Sequence, residues 1–528
     1  MMPKKSPAIH PVLLAVYPVL FLYSHNIGEV RFGDAVGPVL VILAVTLAAW
    51  VLLRILAGSW HKSAMITSFL LLLFFSYGHI RALLGTKIPV FLLVWLFYLL
   101  SLGGSACIIR IRKPLEKATT ILNVFAAVLV AFTLANIAIY ELAAAGRATQ
   151  EDIDFNVRVS SWQSPRSDAY PDIYFIILDA YARQDVLGEI YNFDNSDFIK
   201  FLRDRGFYVA DRSVSNYCQT GLSVGSCLNL AYLDNLAKIL GPDYTDRKPL
   251  EAIIKKSYVH KFLKERGYKT VSFATNVYLT DLRGADFYLK SGTMVNMFHN
   301  SVTNATPLPD IIKLKKEPGD FDAYRRDVLY VLNNIGQVPQ MHPGPKFVFV
   351  HIEVPHSPFV FGPNGEPVNM DSGLSYDDAD WLIRPGRLNR PQYRKAYCDQ
   401  IRFVNSKMKK VIDEILSNSS RPPIILIFGD HGPRSETIWE DPSQTNMKEC
   451  LSILGAFHLP GGGEKLLYPD MTLVNLFRVI FNRYFGENLE LLPDRCYFST
   501  ARYLYRFYDV TDSVREVYKG HPADRIEQ

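Results

Sequence analysis

Five apolar runs crowd the first 145 residues, at roughly 10–26, 36–57, 64–80, 88–109 and 119–141. Most approach the ~20 residues that a helix needs to cross a hydrocarbon core. Such runs leave few folding choices, because in lipid every backbone group must be satisfied within the protein, and a helix does that alone. The first run, broken by His10, Ser24 and His25, is the weakest of the five. No small-residue cleavage site follows it and four more runs do, which argues against a removable leader. If five helices alternate, Lys4, Lys5, Arg54, Lys62, Arg110, Arg112, Lys113 and Lys117 fall on one side, and Arg31, Arg81 and Lys87 on the other. The excess of basic residues puts the N-terminus in the cytoplasm, and the odd number of spans puts everything after about 145 outside. Pairing two runs as a re-entrant element would move that part inside instead.

The average composition hides this asymmetry. Apolar residues make up 49 % of the 528, but they concentrate in the first 145. A net charge of +5 over this length gives no reason to expect nucleic-acid binding. Six cysteines include no C-x-x-C pair and no zinc-finger spacing. Residues 146–170 are polar and without periodicity, so they read as a linker that can lie along the membrane surface. The expected domains are therefore 1–145 in the membrane, 146–170 as linker and 171–528 as a soluble domain.

In that last part, Ile173–Leu178 is a continuous apolar run that ends on Asp179, as a buried parallel strand would. Spacing predicts helices over Asp185–Arg205 and Leu250–Arg266, short strands at Phe207–Val209 and Tyr268–Phe273, and a helix start at Thr220. Residues 280–345 are less regular and read as an insertion or a substrate-facing excursion. Phe347–Val350 is a second buried strand, running into His351, with His356 shortly after it. A long helix spans 392–417, and Pro423–Phe428 is a third strand that runs into Gly429-Asp430-His431-Gly432. Alternating strands and helices predict a mostly parallel central sheet with helices on both faces. In such sheets ligands sit outside the carboxyl ends of the strands, where Asp179, His351, Asp430 and His431 fall.

With a hydroxyl, Asp179, Asp430 and His431 make an oxygen and nitrogen ligand set suited to zinc or manganese. A metal-bound Ser or Thr hydroxyl becomes a nucleophile at neutral pH. Thr220 is the best candidate, because a helix start also favours a phosphate or sulfate group. His351 and His356 could bind the anion or protonate a leaving group. Each residue has a plainer reading: Asp179 as a helix cap, Thr220 likewise, His351 as a satisfied core histidine. The glycines around Asp430-His431 would let the backbone approach a ligand.

Together these motifs resemble the alkaline-phosphatase superfamily. Within it they are similar to the membrane-anchored, sulfatase-like phosphoethanolamine transferases and lipoteichoic acid synthases. The resemblance lies in Asp179-Ala180-Tyr181-Ala182-Arg183, Cys218-Gln219-Thr220, the His351/His356 pair with Pro358, and Asp430-His431-Gly432, in that order and after five spans. It implies an alkaline-phosphatase-like α/β domain behind about five spans. It implies a divalent metal, zinc or manganese, on Asp179, Thr220, Asp430 and His431. Thr220 would take a phospho-alcohol group (phosphoethanolamine or phosphoglycerol type) from a phospholipid donor. An envelope glycan or lipid would accept it, in a monomeric protein of the bacterial inner membrane with its catalytic domain in the periplasm or outside. His351, His356 and Arg434 would contact substrate. A similar cysteine pair in those transferases is a disulfide, which implies a Cys218–Cys227 bridge. Nine positions of straight helix would separate the two by about 13 Å, so a bridge requires a bend. Two departures stand out: those transferases usually have Glu at the position of Asp179, and Arg434 is not expected of them. Both leave a phosphodiesterase or sulfatase-type hydrolase open.

Three rivals remain. Sulfatases that carry formylglycine need a Cys or Ser in C/S-x-P-S-R, and no cysteine here has that context. Gly221-Leu222-Ser223-Val224-Gly225 fits the G-x-S-x-G nucleophile elbow, although the residues before it are polar rather than a strand. A scaffold without activity is the third, and the intact ligand set argues against it.

Overall fold

The computed structural model describes residues 7–84, 88–145, 170–292, 297–314, 320–370, 378–385 and 387–516. They fall into two compact units. One is Met1–Arg147 with Val295–Asp320, and the other is Ala148–Met294 with Phe321–Gln528.

In the first unit all five apolar runs are helical: α1 (His10–His25), α2 (Phe32–Ala57), α3 (Trp60–Leu84), α4 (Val90–Arg110) and α5 (Glu116–Ala145). Four of them, α2 to α5, are long and apolar enough to cross a membrane. At 16 residues, α1 is about 24 Å long, short of a ~30 Å hydrocarbon core. It packs against α5, α2 and α3. Its first turn is capped from another helix, with Asn123 Oδ1 accepting from the Ile9 and His10 amides at 3.0 and 2.9 Å. Of the four long helices, α3 is the most enclosed. The outer helices expose Leu40, Ile55, Ile121 and Phe132, which requires an apolar solvent around them.

The second unit is built on a seven-stranded sheet: β1 (Ile173–Leu178), β2 (Tyr208–Val209), β3 (Lys269–Phe273), β4 (Phe287–Leu289), β5 (Lys346–Ile352), β6 (Ile424–Phe428) and β7 (Gly455–His458). The strand order is β2-β7-β6-β1-β5-β3-β4. The run β6-β1-β5-β3-β4 is parallel, and β7 pairs antiparallel with both β6 and β2. Every residue of β1, β5 and β6 is buried, which explains their unbroken apolar sequences. Ile173, Phe175 and Ile177, Phe347 and Phe349, and Ile424, Leu426 and Phe428 share one core with α6 (Thr220–Asn229), through Leu222, Val224, Cys227 and Leu228. The sheet face that α6 covers is thus set by side-chain alternation.

Some boundaries differ from the sequence reading. The helix expected over Asp185–Arg205 is two helices, Gln184–Glu189 and Ser196–Asp204, and Asn192 between them has φ +50°. The one expected over Leu250–Arg266 also divides, into Lys248–Lys255 and Tyr258–Glu265, because Ser257 caps the second by accepting from the His260 amide. The largest difference is the excursion after residue 280. Its helices α7 (Met297–Asn304) and α8 (Leu308–Leu314) belong to the first unit, not to the domain expected over 171–528. Phe298 and Val302, one turn apart, pack with Tyr23, Ile27, Ala35 and Phe75. The linker reading for 146–170 lies, apart from Tyr170, outside the described residues.

Candidate metal and nucleophile site

The register of the sheet brings the site together. Ile177 of β1 stands level with His351 of β5 and with Phe428 of β6. Two residues further along, on the same face, come Asp179 and Asp430. The face that carries apolar side chains into the core thus ends in two carboxylates and an imidazole. All are buried, at 3 % exposure for Asp179, 0 % for Asp430 and 2 % for both His351 and His431.

Ligand atoms of Asp179, Asp430 and His431 lie within 4.8 Å of one another. His431 Nδ1 is 2.9 Å from the Gly432 carbonyl, so Nδ1 carries the proton and Nε2 presents a lone pair. That lone pair faces three oxygens: Thr220 Oγ1 at 3.3 Å, Asp179 Oδ1 at 3.4 Å and Asp430 Oδ2 at 3.5 Å. Asp179 Oδ1, Asp430 Oδ2 and His351 Nε2 are all buried without a hydrogen-bond partner. Two carboxylates this close repel by about 4 kcal/mol at an effective dielectric of 20. A divalent cation held by Asp179, Asp430, His431 and Thr220 would satisfy every one of these oxygens, so the residues present fit the group. Burial holds His431 below its ordinary pKa, and Arg434 adds to that effect. For Asp179 burial works the other way, but the surrounding His356, His351 and His431 outweigh it and keep the carboxyl below its usual range. A neutral imidazole and an ionised carboxylate are the states that bind metal.

Thr220 is the first residue of α6, half-buried at the positive end of the helix dipole. Gly221 follows it because a Cβ there would lie 2.8 Å from Leu279 Cδ1. The glycines around Asp430-His431 do not make room for a ligand. A Cβ on Gly429 would overlap the Tyr181 carbonyl oxygen, and one on Gly432 the Glu449 carbonyl oxygen, so they allow close approach of neighbouring backbone. Ala180 takes φ +60°, a conformation that L-residues avoid. It is fixed there by its amide donating to Asp430 Oδ1 at 3.1 Å and by the Tyr397 hydroxyl donating to its carbonyl at 2.6 Å. Tyr397 stands on the long helix α9 (Arg390–Asn418).

His351 faces Asp179 Oδ2 at 3.4 Å, inside the carboxylate cluster rather than beside it. Burial opposes its charge, yet Asp179 raises its pKa above the ordinary value. Its other nitrogen is 2.7 Å from Thr280 Oγ1. His356 lies further out, its ring centroid 6.1 Å from that of His431. Its Nδ1 donates to the Ser357 carbonyl at 2.6 Å, and its Nε2 faces Asp378 Oδ1 at 3.9 Å. Arg434, at φ +61°, donates to Asp378 Oδ2 at 2.5 Å and lies 5.0 Å from the centre of the Trp439 ring. Arg434 thus holds Asp378. The opposed guanidinium keeps the Asp378 carboxyl below its ordinary pKa despite burial.

Sequence reasoning did not single out Asp378. It also passed over Thr280 and Glu449. The Glu449 carboxylate accepts from the Ser435 and Glu436 amides at 2.9 and 2.7 Å and so pins the turn after His431. No spacing marks these three residues; only the tertiary contacts do.

One implied feature and one rival reading fail. The implied Cys218–Cys227 disulfide is absent and both thiols are free. Cys227 lies seven residues into α6 and faces the main core, whereas Cys218 precedes the helix in a separate cluster with Cys450 and Cys496. The serine-hydrolase elbow fails as well. Ser223 is fully buried within α6 and its Oγ pairs with Ser215 Oγ at 2.8 Å, not with a histidine among the described residues.

A family profile described as Sulfatase matches residues 171–482. No curated protein matches the sequence. Among solved structures, the C-terminal periplasmic domain of EptC from Escherichia coli in complex with zinc is similar at 12 % identity and TM-score 0.41, over 67 % of this chain and 95 % of that one. The integral membrane lipooligosaccharide phosphoethanolamine transferase A from Neisseria meningitidis is similar at 12 % identity and TM-score 0.38, over 91 % and 96 %. A phosphonate monoester hydrolase of Agrobacterium radiobacter is similar at 12 % identity and TM-score 0.41, over 62 % and 80 %.

Proposed function

The chain belongs to the sulfatase family, as a sulfatase-like hydrolase or transferase, and from that premise we propose that it moves a phospho-alcohol group from a phospholipid to an envelope hydroxyl through a covalent phospho-Thr220 intermediate. One observation carries the reading: a hydroxyl at a helix N-terminus, 3.3 Å from His431 Nε2, beside two buried carboxylates with unpartnered oxygens. Four helices able to cross a membrane favour a lipid donor over a soluble one.

Asp179, Asp430, His431 and Thr220 would hold the cation, and their oxygens and single imidazole suit zinc or manganese. When bound, such an ion lowers the pKa of a ligated hydroxyl and offsets developing negative charge. The chain's own residues do the rest. Thr220 Oγ1, already ionised, forms the bond to phosphorus as the bond from phosphorus to the diacylglycerol oxygen breaks, and it leaves ionised in the second half. The first-turn amides of α6 meet the charge on the phosphoryl oxygens. His356 Nε2 gives the departing oxygen its proton, with the ring oriented by the Ser357 carbonyl and the Asp378 carboxylate. In the second half, an acceptor hydroxyl loses its proton to His356 and attacks phosphorus, and Thr220 leaves. Water in the acceptor's place makes the same site a phosphodiesterase.

The test is a pair of variants assayed on a vesicle phospholipid. Thr220→Ala should abolish turnover while Ser223→Ala leaves it within about threefold. Activity lost only at Ser223 would overturn the assignment.

A further inference from the structure

The excursion Val295–Asp320 leaves the catalytic unit and joins the membrane unit, and its packing shows where. Short connections make α2 to α5 alternate in direction, so the start of α2, the end of α3, the start of α4 and the end of α5 share one face. The excursion meets that face at three points. His299 Nε2 is 2.8 Å from the Asp34 carbonyl in the first turn of α2. The Gly78 amide, in the last two turns of α3, donates to the Ala305 carbonyl at 3.0 Å, and a Cβ on Gly78 would lie 2.7 Å from Ala305 Cα. The buried Tyr77 hydroxyl donates to Asp310 Oδ2 at 2.7 Å, with Arg81 Nε 3.5 Å from the same oxygen. Then α8 packs against α4. This is also the face at which α5 ends. The opposite face carries Arg54, Lys62, Arg110, Arg112, Lys113 and Lys117, which marks the excursion's face as the outward one.

Two apolar side chains on α8 are exposed. Leu308 is 42 % exposed and Ile312 is 37 % exposed. Four residues apart, they share a face. Their helix packs on α4, a helix long and apolar enough to cross a membrane, whose own first two turns expose Phe91, Leu92 and Trp95.

We propose that α7 and α8 form an interfacial foot of the membrane unit, wedged by Phe298 and Val302 into the outward ends of the spans, with Leu308 and Ile312 lying in the lipid interface of the outer leaflet. The occupant is bilayer lipid at the boundary of headgroups and acyl chains, because the exposed pair stands on a helix packed against a membrane-spanning helix with its own exposed apolar side chains. Apolar side chains on one side of a short helix, with the polar anchor Asp310 turned to the protein, are the pattern of an interfacial helix. The inference does not depend on the chemistry at Thr220.

The test uses the full chain in phosphatidylcholine/phosphatidylglycerol vesicles. Cys107, the one exposed cysteine among the six, is replaced by Ser. A polarity-sensitive fluorophore is then placed on Ile312→Cys and, separately, on Leu308→Cys. A third label on Leu466→Cys, at a site 46 % exposed in the catalytic unit, reports water. The expected result is blue-shifted emission at both foot positions, at least a threefold loss of quenching by iodide relative to position 466, and strong quenching by lipids with a nitroxide near the carbonyls. Adding Val302→Asp should expel the foot and return both labels to the behaviour at 466. Iodide quenching at 308 and 312 equal to that at 466 in the parent background overturns the lipid contact. Labels that stay shielded after Val302→Asp overturn the wedge.

Discussion

Gly432→Ala tests whether backbone packing behind His431, rather than the ligand set alone, makes the site. A Cβ at 432 would overlap the Glu449 carbonyl oxygen and lie 2.9 Å from its carbon, with Cys450 C at 3.2 Å. Ordinary carbon contacts begin at about 3.5 Å, so one segment must move by roughly 1 Å. Neither moves freely. The Gly432 amide donates to the Cys450 carbonyl at 2.9 Å, and the Gly432 carbonyl holds His431 Nδ1 at 2.9 Å. Displacement therefore passes directly to His431 Nε2 and its 3.3 Å contact with Thr220. A misplacement of about 1 Å costs on the order of 10²-fold in rate, or about 2.7 kcal/mol of barrier. Overpacking adds about 1–3 kcal/mol of lost stability. The assay is steady-state turnover of a soluble phosphodiester with bound metal counted on the same sample. Gly188→Ala serves as control, since a Cβ there meets nothing within 4 Å. A Gly432→Ala enzyme with metal content and turnover within threefold of the parent would refute the reasoning.

Thr280→Val removes the oxygen that orients His351 while keeping the shape, and should cost about 10–100-fold in metal affinity or activity, read by metal titration. Asp378→Asn leaves the buried Arg434 guanidinium without its charge partner and should destabilise by about 3 kcal/mol in denaturant unfolding, whereas the double variant Asp378→Leu/Arg434→Met should recover most of the loss. Chelation should lower Tm reversibly, and zinc or manganese at 100 times its Kd should restore about 2.7 kcal/mol. An unchanged Tm would mean that Asp179 and Asp430 hold no ion.

Much of this was legible in the sequence because it is periodic. Unbroken apolar runs marked both the spans and the three central strands, since burial on every side leaves no polar positions. Asp179, Asp430 and His431 stood out because each interrupts or ends such a run. What stayed hidden depends on contacts between distant residues. The division of two helices turned on the conformations of Asn192 and Ser257. Asp378 looked like one acid among several until Arg434 was placed against it. The foot was invisible because Phe298, Val302 and Asp310 have meaning only against Phe75 and Tyr77. The cysteine pairing was misjudged because a cluster partner, Cys450, lies 232 positions from Cys218 in sequence (450 − 218 = 232) and near it in space.

Phospho-Thr220 is the centre of the account, and it can be weighed. The full-length protein, loaded with zinc or manganese, is mixed with phospholipid vesicles in the absence of an acceptor, quenched in acid and digested for mass spectrometry. The account predicts that the peptide carrying Thr220 gains the mass of one phospho-alcohol group, that the gain vanishes in Thr220→Ala, and that it is discharged when an acceptor hydroxyl is supplied. An adduct on another residue, or turnover with none on Thr220 under quenching fast enough to catch it, would contradict it.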